Sequence, residues 1–152
     1  MARVELKNLR KEFDRGTIVA VDDVSVEIED EEFITVVGPS GCGKTTTLRM
    51  VAGLERPTSG SVIIGDEDVT DIHAKNRDIA MVFQNYALYP HKTVMDNMEF
   101  GLRMSTDLTE EERKEKVRWA AEMMGIESLL EDTPDELSGG QKQRVALGRA
   151  IV

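Results

Sequence analysis

The glycine-rich segment GPSGCGKT at residues 38–45 constrains the fold of this chain more than any other feature. It follows FITVVG at residues 33–38, a short apolar run rich in β-branched residues, which is typical of a strand buried on both faces of a parallel sheet. It precedes a stretch in which Leu48 and Val51 recur at helical spacing, and Gly53 stands where such a helix would end. The sequence therefore predicts a strand, a tight loop and a helix, the unit from which α/β domains are built.

The spacing of this loop matches the phosphate-binding pattern G-x-x-x-x-G-K-[ST]. Glycines let the backbone curl so that successive N–H groups face phosphate oxygens, and the following helix adds the positive end of its dipole. Lys44 would then reach the β- and γ-phosphates, and the Thr45 hydroxyl would ligate Mg²⁺. The alternative is a chance glycine-rich turn, which the flanking strand and helix patterns disfavour. The candidate binding residues of the loop are Gly38, Pro39, Ser40, Gly41, Cys42, Gly43, Lys44, Thr45 and Thr46.

The composition limits the class of protein. Of the 152 residues, 40% are hydrophobic and 32% are charged, which suits one globular core rather than a disordered tail. The single cysteine excludes an internal disulfide, and no apolar run is long enough to cross a bilayer. A formal charge of −10 disfavours non-specific binding to nucleic acid. We therefore expect a cytoplasmic protein without a nucleic-acid partner.

Other patterns predict strands outside the loop unit. Apolar and polar residues alternate at 4–7 and 24–29, which predicts half-buried antiparallel strands. SVIIG at 61–65 predicts another strand, and IAMVFQ at 79–84 predicts a second strand that is buried on both faces.

From about residue 90 the pattern becomes helical. Residues with capping chemistry precede two predicted helices, and a glycine follows the second. The caps are Thr93 with Asp96 and Thr109 with Glu112, and the glycine is Gly125. We interpret Trp119, Met123 and Met124 as packing residues of this helical part.

A second motif, LSGGQ at residues 137–141, opens the last predicted helix. Ser138 and Gln141 have the spacing of a capping box, so a purely structural helix start is one interpretation. The pair Gly139 and Gly140 favours another. Two glycines weaken a helix start, but they let a phosphate group approach the backbone closely.

Taken in order along the chain, these motifs resemble those of the nucleotide-binding subunits of ABC transporters. The resemblance covers the glycine-rich loop, MVFQNYALYPHKTVMDNMEFGL at residues 81–102, and LSGGQKQRVALGRA at residues 137–150. The middle segment looks most like the subgroup that energises the import of sugars and related small solutes.

The resemblance implies an α/β fold, the P-loop NTPase of ABC type. In that fold an antiparallel β-subdomain and a RecA-like core, incomplete here, accompany a helical subdomain. It divides the chain into the β-subdomain with the P-loop core at residues 1–88, the helical subdomain at 89–136, and the signature motif with the start of its helix at 137–152.

Site roles also follow from the resemblance. Phe13 would stack on adenine, although a lone phenylalanine after a strand also suits a core. Lys44 and Gln84 would be catalytic, with Gln84 contacting both Mg²⁺ and the attacking water; an amide buried against backbone is the alternative for Gln84. The metal contacts would be Thr45 and Gln84. The signature residues that would bind the γ-phosphate held by a second subunit are Ser138, Gly139, Gly140 and Gln141.

The resemblance implies a subunit that binds and hydrolyses ATP with Mg²⁺ to power solute import. It would work as a dimer, peripheral on the inner face of the cell membrane, and would meet transmembrane permease subunits through the region after Gln84. The family's paired catalytic acids and its later histidine find no counterpart here, so we expect an N-terminal part that is inactive alone. A non-transport ABC ATPase of DNA repair or the ribosome, and a catalytically dead nucleotide-binding module, are the alternatives.

Overall fold

The computed structural model describes residues 2–152, which form two compact units, one ending at Ile79 and the other beginning at Ala80. Over these residues, none of the helices combines the length and the apolar character that a membrane span requires.

The described part of the first unit is built on an antiparallel sheet of four strands. The strands are β1 (Val4–Phe13), β2 (Ile18–Ile28), β3 (Ser59–Ile64) and β4 (Glu67–Asp68), in the spatial order β2-β1-β3-β4. Val4 pairs with Ile28 on one side and with Ile64 on the other. The antiparallel strands predicted from the alternating patterns at 4–7 and 24–29 are thus confirmed.

One face of this sheet carries the core of the first unit. Period-two alternation sends Leu6 and Val62 to the same buried face. They pack with Met50, which is fully buried and belongs to the helix α1 (Lys44–Val51). The helix predicted after the glycine-rich loop is thus confirmed, and Gly53 follows it with a φ of 68°, in the left-handed region that glycine favours.

The second unit, over residues 80–152, is helical. Its helices are α2 (Val94–Ser105), α3 (Glu110–Met124) and α4 (Gly139–Ile151). The three predicted N-terminal caps all form: the hydroxyls of Thr93, Thr109 and Ser138 accept the N–H groups of Asp96, Glu112 and Gln141. Gly125 ends α3 in the left-handed conformation.

The helices of the second unit share one apolar core. Met98 on α2, Val117 on α3 and Val145 on α4 are fully buried within it, and Met124 packs against it. Two residues that we expected to pack are instead exposed. Trp119 retains 52% and Met123 retains 55% of its accessible surface, because both lie on the side of α3 that faces away from α2 and α4.

Two predicted strands are wrong in this structure. Residues 33–38 and 79–84 form no hydrogen-bonded strand, and Phe33 and Val37 expose 90% and 83% of their surface. An apolar run becomes a buried strand only when neighbouring strands satisfy its backbone and layers cover both its faces. Within residues 2–152, every strand belongs to the antiparallel sheet, and neither segment is paired with it.

A buried ion pair links α2 and α3. The side chain of Glu99, which is 3% exposed, accepts a hydrogen bond from Arg113 Nε at 2.7 Å and one from Arg103 Nη2 at 3.3 Å. Burial by itself would raise the pKa of Glu99, but the hydrogen bond from Arg113 and the charges of both arginines outweigh it and lower this pKa.

This pair should make the stability of the second unit pH-dependent. Because the pKa of Glu99 is lower in the folded state, its contribution is fully present above the unfolded value of about 4.3 and is lost as the pH falls through the folded value. We expect Glu99→Gln to reduce the free energy of unfolding by about 1–2 kcal/mol at pH 7 and by less at pH 3.5. Urea titrations at both pH values measure this difference. Glu111→Gln, on the exposed first turn of α3, is the control and should change little at either pH.

Candidate nucleotide-binding site

The glycine-rich loop lies directly against the sheet of the first unit. Gly43, the residue before α1, has a φ of 92°, and a Cβ atom there would lie only 2.3 Å from the carbonyl oxygen of Ala20 on β2. No side chain fits in that space. Gly41 is also left-handed, with a φ of 83°, but a Cβ atom there would meet nothing within 4 Å. The loop is therefore anchored to the sheet at Gly43 and open at Gly41.

Lys44 lies across this loop. Its ammonium donates hydrogen bonds to the carbonyl oxygens of Gly38 and Pro39, both at 2.7 Å, and lies 3.5 Å from the sulfur of Cys42. These acceptors carry no net charge. None of these bonded groups is a carboxylate, so they leave the charge of the ammonium available to an anion that enters the loop.

The N-terminus of α1 offers the second half of an anion site. Gly43 has no side chain to cap the helix, and the first turn contains no acidic residue. The first N–H groups of a helix have no acceptor within the helix, and they carry the positive end of its dipole. Thr47 turns its hydroxyl to the carbonyl of Gly43 at 3.0 Å, whereas the side chain of Thr45 faces solvent. This arrangement fits the phosphates of a nucleotide.

A magnesium ion would fit the same loop only together with phosphate. Within the described residues, no three His, Cys, Asp or Glu side chains come together as a metal site. Mg²⁺ commonly keeps several waters and binds through a few protein oxygens and substrate phosphates. The exposed Thr45 hydroxyl would be an oxygen ligand of that kind.

Phe13 is the last residue of β1. Its ring is 36% exposed, and Lys11 Nζ lies 4.9 Å from the ring centroid. The ring is therefore not part of the core of buried residues, and one of its neighbours is a cation that would attract phosphate.

Gln84 belongs to the second unit and is exposed. It is the first central residue of a tight turn, in which Tyr86 N–H donates to the carbonyl of Phe83 at 2.9 Å and Ala87 N–H donates to that of Asn85 at 2.7 Å. An amide buried against backbone is therefore not the arrangement at Gln84, whose side chain is left accessible to a ligand.

The LSGGQ motif is both a capped helix start and an open surface. Ser138 Oγ accepts from Gln141 N–H at 3.3 Å, and Gln141 Oε1 accepts from Ser138 N–H at 2.7 Å, so both side chains serve the capping box. Gly139 and Gly140 are exposed, and a Cβ atom at Gly140 would meet nothing within 4 Å. The backbone of the glycine pair can be approached closely.

A groove of about 440 Å³ lies beside the turn after Gln84. Its aromatic wall is formed by Tyr89 and Phe100, whose ring centroids are 4.9 Å apart. The groove is lined by Phe83, Ala87, Tyr89, Phe100, Gly101 and Arg149.

Comparison with known proteins identifies the family of the chain. The family model described as ABC transporter matches residues 21–152. The chain belongs to the ABC transporter family.

Its relatives include import and uptake ATP-binding proteins. Over the whole of this chain it is 59% identical to the xylose/arabinose import ATP-binding protein XacJ of Haloferax volcanii, of which it covers 39%. It is 55% identical to the osmoprotective compounds uptake ATP-binding protein GgtA of Synechocystis sp., of which it covers 41%. The chain thus spans about two fifths of the length of these relatives.

Solved structures show the same fold. The dimeric structure of MJ0796, a bacterial ABC transporter cassette, superposes with a TM-score of 0.88 at 33% identity, covering 97% of this chain and 68% of that one. A post-hydrolysis state of MJ0796 bound to ADP and Pi gives the same TM-score at 34% identity. The predicted ABC ATPase fold is thereby confirmed.

In this ABC protein, the glycine-rich loop with Lys44 and Thr45 belongs to the first unit. Gln84 and the LSGGQ motif belong to the second. Three side chains that hold backbone near these segments through hydrogen bonds were not predicted from the sequence: Arg77, Asn97 and Arg149. Arg77 lies two residues before the start of the apolar run at 79–84, and Asn97 occupies a fully buried position of α2. Asn97 could have been identified from the sequence as a polar residue at a core-facing position of a predicted helix.

Proposed function

We propose that this chain is the nucleotide-binding part of an ATP-binding subunit, and that the complete protein hydrolyses ATP to power the import of a small solute of the sugar type. The observation that carries the proposal is the pairing of the Lys44 ammonium with the uncapped N-terminus of α1. Both features favour anionic phosphate. The import relatives XacJ and GgtA support the transport role.

In this proposal, Lys44 and the first N–H groups of α1 hold the phosphates, and Phe13 contacts the adenine. Thr45 and Gln84 would contact Mg²⁺, which when bound neutralises charge on the phosphate oxygens. Gln84 would also orient the attacking water, and its exposed side chain supports that role. An amide can donate to one partner and accept from another at the same time.

We also propose that the protein acts as a dimer in which the LSGGQ motif of one subunit closes on the nucleotide held by its partner. The exposed glycine pair at 139–140, at the start of α4, supports this, since backbone N–H groups there can approach a phosphate. The dimeric assembly of MJ0796 supports it as well.

The groove beside Tyr89 and Phe100 is our proposed contact for a permease subunit. Its aromatic wall suits an apolar side chain from a short helix of that partner. Such an assembly would place the protein on the inner face of the cell membrane through its partners.

We further propose that the 152-residue chain alone binds nucleotide but releases phosphate at the background rate. The family's general base has no counterpart among these residues, and a reaction that needs an activated water loses about 10²-fold or more without its base. Phosphate release by the purified chain would refute this if it exceeded background and vanished in Lys44→Ala.

The binding site is tested by Lys44→Ala. This change removes the ammonium while leaving α1 intact, so we expect the affinity for Mg-ATP to fall by about tenfold or more. Isothermal titration calorimetry measures it. The matched control is Lys75→Ala, which removes an exposed ammonium elsewhere in the first unit and should leave the affinity unchanged. Equal loss in both variants, or no binding by the unmodified chain, would contradict the proposed site.

A further inference from the structure

The turn that begins at Gln84 contains two residues with a backbone conformation that most residues avoid. Tyr86 and Ala87 have φ values of 62° and 49°, in the left-handed region where a Cβ atom crowds the backbone. Two consecutive residues other than glycine persist there only when the surrounding structure holds them. The hydrogen bonds within the turn, to the carbonyls of Phe83 and Asn85, do not engage the carbonyls of Tyr86 and Ala87 themselves.

One side chain of α4 holds both of those carbonyls. Arg149 Nη1 donates to the carbonyl oxygen of Ala87 at 2.8 Å, and Arg149 Nη2 donates to that of Tyr86 at 3.2 Å. The guanidinium is a planar fork of donors, and its charge makes such bonds stronger than those between neutral groups. The left-handed pair is therefore fixed from outside the turn by a residue 62 positions further along the chain.

The same turn also approaches the other end of α4. A Cβ atom on Gly139, the first residue of that helix, would lie 3.6 Å from the Tyr86 hydroxyl. In addition, Arg149 lines the groove together with Phe83 and Ala87. A group that entered the groove, or a movement of α4, would thus change the surroundings of Arg149 and of the turn together.

We propose that Arg149 is a positioning residue for Gln84: by holding the carbonyls of Tyr86 and Ala87, it ties the Gln84 segment to the helix that begins in the LSGGQ motif and to the adjoining groove. The inference deepens the proposed function, on which it rests for the role of Gln84. It assigns a named side chain to the link between the groove and the nucleotide-facing glutamine.

Amide hydrogen exchange followed by NMR, on the 152-residue chain without nucleotide, tests the inference. We expect Arg149→Met to accelerate exchange of the Tyr86 and Ala87 amides by about tenfold or more, since charged hydrogen bonds of this kind correspond to at least that factor. The side-chain amide resonances of Gln84 should shift as well. Exchange in the cores of α2 and α3 should stay the same.

Arg144→Met is the matched control, because Arg144 lies on the same helix, is exposed and carries the same charge. It should leave the Gln84 resonances and both turn amides unchanged. Arg149→Lys keeps the charge but loses the fork, so it should give an intermediate acceleration. It decides the question if Arg149→Met does not fold. Equal exchange of the turn in the Arg149 and Arg144 variants, or a uniform acceleration throughout the unit, would overturn the inference.

The result is separable from the proposed function. Titration of the same variants with Mg-ATP reports on the glycine-rich loop of the first unit, whereas the exchange experiment contains no nucleotide. Failure of the unmodified chain to bind Mg-ATP would refute the proposed function and leave the link between Arg149 and the turn standing. Normal binding of Mg-ATP together with unchanged amide exchange in Arg149→Met would refute the role of Arg149 and leave the proposed function in place.

Discussion

Replacing Arg77 with methionine should lower the free energy of unfolding of the first unit by about 3 kcal/mol or more. Arg77 is buried, and its guanidinium donates to the carbonyls of Met50 at 2.8 Å, Val51 at 2.6 Å and Ile72 at 2.9 Å. Met50 and Val51 end α1, where helix carbonyls lack partners within the helix. Methionine would remove this donor from all three oxygens, and the Met50 carbonyl would keep only the N–H of Gly53.

The charge of Arg77 acts against this effect, because its burial carries a desolvation cost that methionine would remove. Burial lowers the pKa of Arg77, which shows that desolvation of its charge is not offset by a neighbouring carboxylate. The guanidinium is instead stabilised by the negative end of the α1 dipole. Gly53 makes room for it, since a Cβ atom at that position would lie 2.6 Å from Arg77 Nε.

The measurement is urea unfolding followed by circular dichroism, with amide exchange of Leu6 and Val62 as probes of the first core. Arg49→Met is the matched control, because Arg49 lies in the last turn of the same helix but is exposed. It should change the free energy by about 0.5–1 kcal/mol at most. Similar losses in the two variants would show that Arg77 acts only through its charge near the helix end. Since α1 also carries Lys44, we expect Arg77→Met to weaken Mg-ATP binding as well.

The parts of the fold that depend on local chemistry could be predicted from the sequence. The caps at Thr93, Thr109 and Ser138 formed where the spacing placed them, because a cap requires only a hydroxyl and a nearby N–H group. The glycine-rich loop could be predicted because its conformation also depends on local residues. A left-handed φ at Gly41 and Gly43 is a property of those residues in that turn.

The parts that depend on distant partners could not. The apolar runs at 33–38 and 79–84 have the composition of buried strands, but strand structure is a property of a pair, and no partner strand accompanies them in the described residues. Arg149 reaches the Tyr86 and Ala87 carbonyls from 62 and 63 positions away. Nothing in the spacing along the chain shows that an arginine late in a helix will meet a turn that far upstream.

The second unit has its own buried polar residue, and Asn97→Asp should destabilise that unit by about 3 kcal/mol or more at pH 7. Asn97 is fully buried on α2. Its Oδ1 accepts from Tyr89 N–H at 2.8 Å, and its Nδ2 donates to the carbonyls of Tyr89, Lys92 and Thr93 at 2.9–3.1 Å. The substitution keeps the shape of the side chain but turns a donor into an acceptor that faces three carbonyl oxygens.

The pH dependence distinguishes this mechanism from simple loss of packing. Burial and the facing oxygens would raise the pKa of the new carboxyl in the folded state, so the folded protein would bind more protons than the unfolded one. The deficit in the free energy of unfolding should therefore be largest at pH 7 and shrink as the pH falls through the raised pKa, where a protonated carboxyl can donate again.

Urea unfolding followed by the fluorescence of Trp119, the single tryptophan, reports on this unit. Asn85→Asp, the same change at an exposed position, should cause little loss at either pH. A deficit in Asn97→Asp that was independent of pH, or no deficit at pH 7, would contradict the role assigned to the hydrogen bonds that the Asn97 amide donates.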